Sequence, residues 1–200
     1  MDETPATRLP LFVDGLTIRR IGPDDLRDLY EYWSDPDVAR YQLWGPYSSD
    51  QIEAMINAQV DIKPGDPGLA LVLAAELDEQ VIGDCQLTVT SVDDRQAEIG
   101  FAFNPRFAGR GLATRAVAAV LGFGFVQLGM HRVVAATDVR NERSWRLLER
   151  VGMRREAHFI HDCFVKSDWL DAYVYAMLEQ EWQERHSMLA AAVAISEGMA

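Results

Sequence analysis

The stretch that decides the fold reads Ala97-Glu-Ile-Gly-Phe-Ala-Phe-Asn-Pro-Arg-Phe-Ala-Gly-Arg-Gly-Leu-Ala-Thr-Arg115. It runs from an alternating strand pattern through a glycine loop into a helix. Gly109 and Gly111 remove two Cβ atoms where the backbone turns. An anion can then approach amide groups that lack partners in the first helical turn and sit at the positive end of the helix dipole. Arg106, Arg110 and Arg115 add charge. The pattern points to a phosphate-bearing ligand; a plain glycine turn ahead of a helix is the competing reading.

Working outward, Leu16 to Ile21 alternates as a half-buried strand, and Gly22-Pro23-Asp24-Asp25 opens a helix that ends near Asp35-Pro36. After the aromatic loop Tyr41 to Tyr47, Ser48 or Ser49 caps a second helix with Ile52, Met55, Ile56 and Val60 on one face. Lys63 to Gly68 stops it. Strands over 69–77, 80–90 and 96–103 follow as a meander. A helix is expected over 111–128, a strand over 131–137, a helix from Asn141 to Gly152, and strands over 154–165 and 169–177. The order is mixed α/β with an antiparallel first half and one helical crossover. It predicts one domain over 16–187, flanked by a loose N-terminal arm at 1–15 and a small-residue tail at 188–200.

Composition narrows the function. The chain of 200 residues is 48% hydrophobic and 25% charged, enough to bury a sizeable core. A net charge of −12 argues against general nucleic-acid or anionic-membrane binding. The average hides a polarity: residues 106–155 carry ten arginines against three acids, a local +7, while the other 150 residues hold nine bases and 28 acids. One anionic ligand held locally fits that segment, as does a solvated arginine face. Cys85 and Cys163 lack CxxC spacing and supply neither a disulfide framework nor a zinc site. No secretory signal and no apolar run of membrane length is present, which predicts a cytoplasmic protein. Oligomeric state is open, a homodimer included.

The phosphate ligand has several possible identities. No GxxxxGK[ST] occurs, which excludes a nucleotide-hydrolysing P-loop. A dinucleotide fold is a rival, because Gly109-Arg-Gly111 precedes a helix and the next strand ends at Asp138, where a ribose partner is expected. Against it stand Thr114 at the third glycine position, five residues between the strand and Gly109, and antiparallel preceding strands.

Arg106-x-x-Gly109-x-Gly111-x-Ala113 resembles the Q/R-x-x-G-x-G/A loop of the GCN5-related N-acetyltransferases (GNAT superfamily). A second segment, from Asn141 through Ser144 and Leu148 to Gly152-Met153, resembles the N-x-x-S/A segment after that family's fifth strand. The likeness extends from about Leu16 to Trp182. Glu98-Ile-Gly-Phe, Ser144, and Trp169 with Asp171 resemble the RimJ/RimL-type branch, which acetylates α-amines of ribosomal proteins and includes enzymes for free amines and aminoglycosides. The resemblance implies an α+β fold with a mixed, mostly antiparallel sheet of about seven strands, helices on both faces, and a splayed fourth and fifth strand pair.

The same resemblance implies acetyl-CoA as co-substrate, no metal, and an amine acceptor that is a peptide N-terminus or a small amine. The cofactor would lie on the main chain of Ile99, Phe101 and Phe103, on the loop and helix start at Arg106, Gly109, Arg110, Gly111, Leu112, Ala113 and Thr114, and on Asn141. Many relatives place a proton-donating tyrosine where this chain has Leu148, so Ser144 becomes the candidate acid. A non-catalytic acyl-CoA-binding protein is the alternative from another class. Glu98 is the candidate base, with an exposed strand acid as its bland reading. His131, His158 and His161 form no metal pattern. Tyr41, Trp44 and Tyr47 suit either a substrate lid or packing on the next helix. Asp84, Asp162 and Asp171 are candidates for an acidic acceptor pocket, each also readable as solvated surface.

Overall fold

Alternation in the middle of the chain produces β3 (Ala70–Leu77), β4 (Gln80–Ser91) and β5 (Gln96–Phe103), an antiparallel meander in which Leu73 faces Cys85 and Cys85 faces Phe101. The computed structural model describes residues 8–187. Asp78 and Glu79 close the first hairpin at φ of 49° and 64°, the left-handed pair that matches strand twist in a two-residue turn. From β5 the chain crosses through α4 (Leu112–Gly122) and returns as β6 (Arg132–Asp138), parallel to β5. Then come α5 (Glu142–Val151), β7 (Arg154–Val165) and β8 (Asp168–Leu178), with β8 inserted between β6 and β7. Residues 179–187 are helical, an element the sequence reading did not include.

With β1 (Leu11–Val13) and β2 (Leu16–Arg20) ahead of the meander, the sheet has eight strands rather than seven among the described residues, in the order β1-β2-β3-β4-β5-β6-β8-β7. The extra one, β1, pairs with β2 through a turn at Asp14 and Gly15 with φ of 45° and 81°. Residues 8–15 of the expected loose arm are therefore tied to the sheet; the rest of that arm and the 188–200 tail lie outside the described residues. The expected first helix ends before Asp35-Pro36 as read, its first turn is a 3-10 turn, and a short helix that the sequence reading did not include follows it. Pro23–Asp25 forms a 3-10 turn, α1 spans Leu26–Trp33, and Asp35 accepts from the Asp37 amide at 2.8 Å to start the short α2 (Pro36–Ala39). Pro36 has no N–H to continue the ladder, which sets the break between the two helices. Ser48 caps α3 (Ser49–Ala58) as expected, but Val60 falls beyond its end and is exposed.

Each face of the sheet carries its own core. Val117, Val120 and Leu121 of α4 and Leu147, Leu148 and Val151 of α5 bury against Leu73, Leu87, Ala97 and Ile99. On the other face Leu29, Tyr32 and Trp33 of α1 and Ile52 and Ile56 of α3 bury against Val72, Ala74, Val81 and Ala102. Full burial of one such aliphatic side chain is worth about 1.5 to 3 kcal/mol, so the two layers hold the sheet from both sides. Trp44 and Tyr47 stack at 5.0 Å and lean on Trp33, which makes the aromatic loop part of this second core. Among the described residues no helix is long and apolar enough to cross a membrane.

Candidate functional site

The sheet is split between β5 and β6. Their ladder holds only over Gln96 to Glu98 opposite Arg132 to Val134, and then the strands part. Main-chain direction along β5 is fixed at both ends: the Arg95 carbonyl accepts from His131 N at 2.7 Å on the β6 side, and Asn104 N donates to the Ile82 carbonyl on the β4 side at 2.9 Å. Alternation then turns the N–H and C=O groups of Ile99, Phe101 and Phe103 toward the gap. Gln42 Nε2 reaches across to donate to the Phe101 carbonyl at 3.3 Å. The Ile99 side chain is buried, and those of Phe101 and Phe103 are half-buried against the same core.

At the carboxyl end of β5, Asn104 Oδ1 accepts from Arg106 N and begins the turn Pro105–Phe107. Gly109 follows at φ 79°, and Gly111 caps α4 at φ 73° with no side chain closing the helix. The first helical bond runs from Arg115 N to the Gly111 carbonyl at 3.1 Å, which leaves the amides of Leu112, Ala113 and Thr114 ahead of the ladder. A cleft of about 410 Å³ opens on these groups, lined by Phe107 to Gly109, Gly111 to Thr114, and Arg150 of α5. A Cβ at either glycine would meet nothing within 4 Å, so glycine is needed here for backbone conformation and the space above it is open.

The arginines sort differently from the sequence reading. Arg106 turns away from the cleft to Glu31 of α1 at 3.1 Å, and Arg110 does not line it. Arg150, unremarked in the sequence, does. Half of the segment's ten arginines form further ion pairs: Arg132 with Glu156, Arg140 with Asp138 and Asp168, Arg146 with Glu142, Arg154 with Glu156 and Glu181, Arg155 with Glu149. The Arg132 guanidinium lowers the Glu156 carboxyl to about 2. Asp138, the acid weighed as a ribose partner, is buried and held by Arg140 through Nη2 at 2.6 Å and Nε at 2.9 Å, which removes the dinucleotide rival's acceptor.

Asn141 caps α5, its Oδ1 accepting from Ser144 N at 3.2 Å. Ser144 is half-buried on the first turn, and Leu148 one turn further is fully buried in the core. Glu98 is exposed at the fork itself, the last β5 residue paired with β6. Among the described residues no cluster of His, Cys, Asp or Glu is arranged to hold a metal.

A second cleft of about 320 Å³ opens on the α2 side, bounded by Arg40 to Gln42, Arg140, and the β7–β8 turn from Val165 to Leu170. Lys166 Nζ closes one wall by donating to the Ala39 and Gln42 carbonyls at 2.5 and 3.0 Å. The expected acidic pocket is not formed. Asp171 Oδ1 accepts from His161 N at 2.9 Å, and neither Asp171 nor Asp162 lines either of these two clefts. Asp84 is wholly buried on β4 beneath α1, where Trp33 Nε1 donates to Oδ2 at 3.1 Å and Oδ1 has no partner. Burial raises this carboxyl to about 7 against the hydrogen bonds that favour its charge.

The sheet is thus split between β5 and β6, with a cleft at an uncapped helix N-terminus on one face and a separate cleft on the other. The family model described as "Acetyltransferase (GNAT) domain" matches residues 15–154. The chain belongs to the GNAT acetyltransferase family and is an acetyltransferase. It is 32% identical over 168 residues to the uncharacterized N-acetyltransferase YnaD of Bacillus subtilis, covering 84% of this chain and 95% of that protein. A GNAT-family acetyltransferase structure from Bacillus anthracis superimposes with a TM-score of 0.78 at 28% identity, over 86% of this chain and 99% of the other. The spermidine N-acetyltransferase of Vibrio cholerae, solved with CoA and spermine, shares the fold at a TM-score of 0.74 and 22% identity, over 86% and 99%.

Proposed function

We propose that the protein moves the acetyl group of acetyl-CoA to a primary amine, with a protein N-terminal α-amine, as in the RimJ/RimL-type branch, as the nominal acceptor. The observation that carries the reading is the pairing of the β5/β6 gap with the uncapped α4 N-terminus at the same end of the sheet. The free amides of Leu112, Ala113 and Thr114, with Arg150 beside them, suit a pyrophosphate. The outward main-chain groups of Ile99, Phe101 and Phe103 suit an amide-bearing arm laid along β5 as a strand would be.

In that setting the neutral amine attacks the thioester carbonyl carbon, the carbonyl oxygen takes up charge near backbone N–H donors, and the C–S bond breaks as the tetrahedral intermediate collapses. Glu98 at the fork receives the amine proton directly or through water, and Ser144 donates to the departing thiolate or orders a water that does. The spermidine-acetylating relative supports a second reading, a small polyamine acceptor. Thiol release monitored with acetyl-CoA and a panel of peptides, polyamines and aminoglycosides, with mass analysis of the acceptor, tests the proposal. One acetyl group on an amine per thiol released supports it; thiol release without acetylated amine, or none with any acceptor, rejects it.

A further inference from the structure

The cleft on the α2 side opens beside the gap, because Gln42, which lines it, reaches the Phe101 carbonyl inside the split. The phosphate-ready cleft lies on the α4 face. Donor and acceptor would thus enter from opposite faces and meet between β5 and β6. Among the charged residues bounding the acceptor side, Arg40, Arg140 and Lys166 are cationic and Asp168 is the one acid. Arg140 is balanced by Asp138 and Asp168. Lys166 is held by two uncharged carbonyls, and Arg40 has no ion pair among the described residues, so the three cations outweigh Asp138 and Asp168 and leave a net positive charge at the cleft of a chain whose net charge is −12.

This arrangement acts on the acceptor in two ways. It repels a polyamine, whose ammonium groups would enter a positive field, and it attracts a carboxylate. It also favours the uncharged form of an incoming amine, which is the form that attacks. An α-amine, with an ordinary pKa of about 7.7 to 8.0, is already partly neutral at pH 7.5, whereas an alkyl amine near 10.4 is not. Resting on the acetyl-transfer reading above, we infer that the acceptor is an α-amine accompanied by a carboxylate, either a free acidic amino acid or a peptide whose N-terminus is followed by Asp or Glu, with Arg40 and Lys166 binding the carboxylate.

The test measures kcat/KM at fixed acetyl-CoA for glutamate, a Ser-Glu N-terminal peptide, its Ser-Gln counterpart and spermidine, alongside acetyl-CoA affinity. The Ser-Glu peptide or glutamate is expected to exceed the Ser-Gln peptide by about tenfold to a hundredfold, the range of a charge-assisted hydrogen bond, with spermidine last. Which of the two leads tells a peptide acceptor from a free amino acid. Arg40→Glu should erase that preference without altering acetyl-CoA affinity, and Arg40→Lys should restore part of it. If acetyl-CoA binds but spermidine leads, if the Glu and Gln peptides react equally, or if none of the four reacts, the inference is overturned and acetyl transfer is not. If acetyl-CoA neither binds nor releases thiol, the acetyl-transfer reading falls with it.

Discussion

The two faces of the sheet offer a ligand different means of being held. On the α4 face the candidate site is built of backbone: two glycines at positive φ, three amides ahead of a helical ladder, and main-chain groups left over where β5 parts from β6. On the α1–α3 face it is built of side chains from segments far apart in sequence, Arg40, Arg140 and Lys166, above a core that encloses an ionisable Asp84. Backbone geometry suits the constant part of a reaction, a phosphate and an amide-bearing arm. Side chains are free to change with the acceptor.

The largest expected effect belongs to the second face. The Asp84 carboxyl, about 7 in the fold against an ordinary 3.8, is kept neutral at pH values below about 7. The folded state therefore binds the proton more tightly, and the stabilisation present below pH 4 is lost as pH rises through about 7. That difference corresponds to at most roughly 4 kcal/mol. Asp84→Asn should flatten the slope and be the more stable protein at pH 8, in urea unfolding at pH 4, 6 and 8. Parallel wild-type and variant curves would show that the carboxyl is solvated.

On the first face, Gly111→Val places a branched Cβ at φ 73° and against the phosphate, and should weaken CoA binding by about 100-fold or more while far-UV circular dichroism stays native. Normal affinity would mean that the helix start does not hold the ligand. Ser144→Ala should lower kcat by about 100-fold with CoA affinity nearly unchanged, a value at the low end of acid catalysis because a thiol of pKa about 8.5 already departs readily. Equal losses in affinity and turnover would make Ser144 a positioning residue. The smallest effect is expected at Arg106. Its side chain pairs with Glu31 on an exposed surface, so Arg106→Ala should change stability by about 0 to 1 kcal/mol and CoA affinity by less than about threefold. A large loss of affinity would return Arg106 to the cleft.

These contrasts also explain what the sequence made legible. Gly109 and Gly111 declare a backbone conformation by their identity, and the strand-loop-helix order around them places the cleft. Asn141 reads as a cap because capping is local. The direction of an arginine is not local: Arg106 turns to Glu31 on a helix distant in sequence, while Arg150 reaches the cleft across two helices. Strand β1 is marked only by the Asp14-Gly15 turn, because its three residues are too few to show an alternating run. The position of β8 between β6 and β7 is a choice of sheet order that two consecutive strands do not reveal. Asp84 sits in a strand with both faces covered, so alternation gives no warning that α1 seals it.

The proposed entry of donor and acceptor from opposite faces lets both be bound at the same time, with the acetyl group passing directly between them. Initial rates measured over a grid of acetyl-CoA and acceptor concentrations test this most directly. The account predicts double-reciprocal lines that intersect, the pattern of a ternary complex. Parallel lines, the pattern of an acetyl group held covalently by the enzyme between two half-reactions, would contradict it.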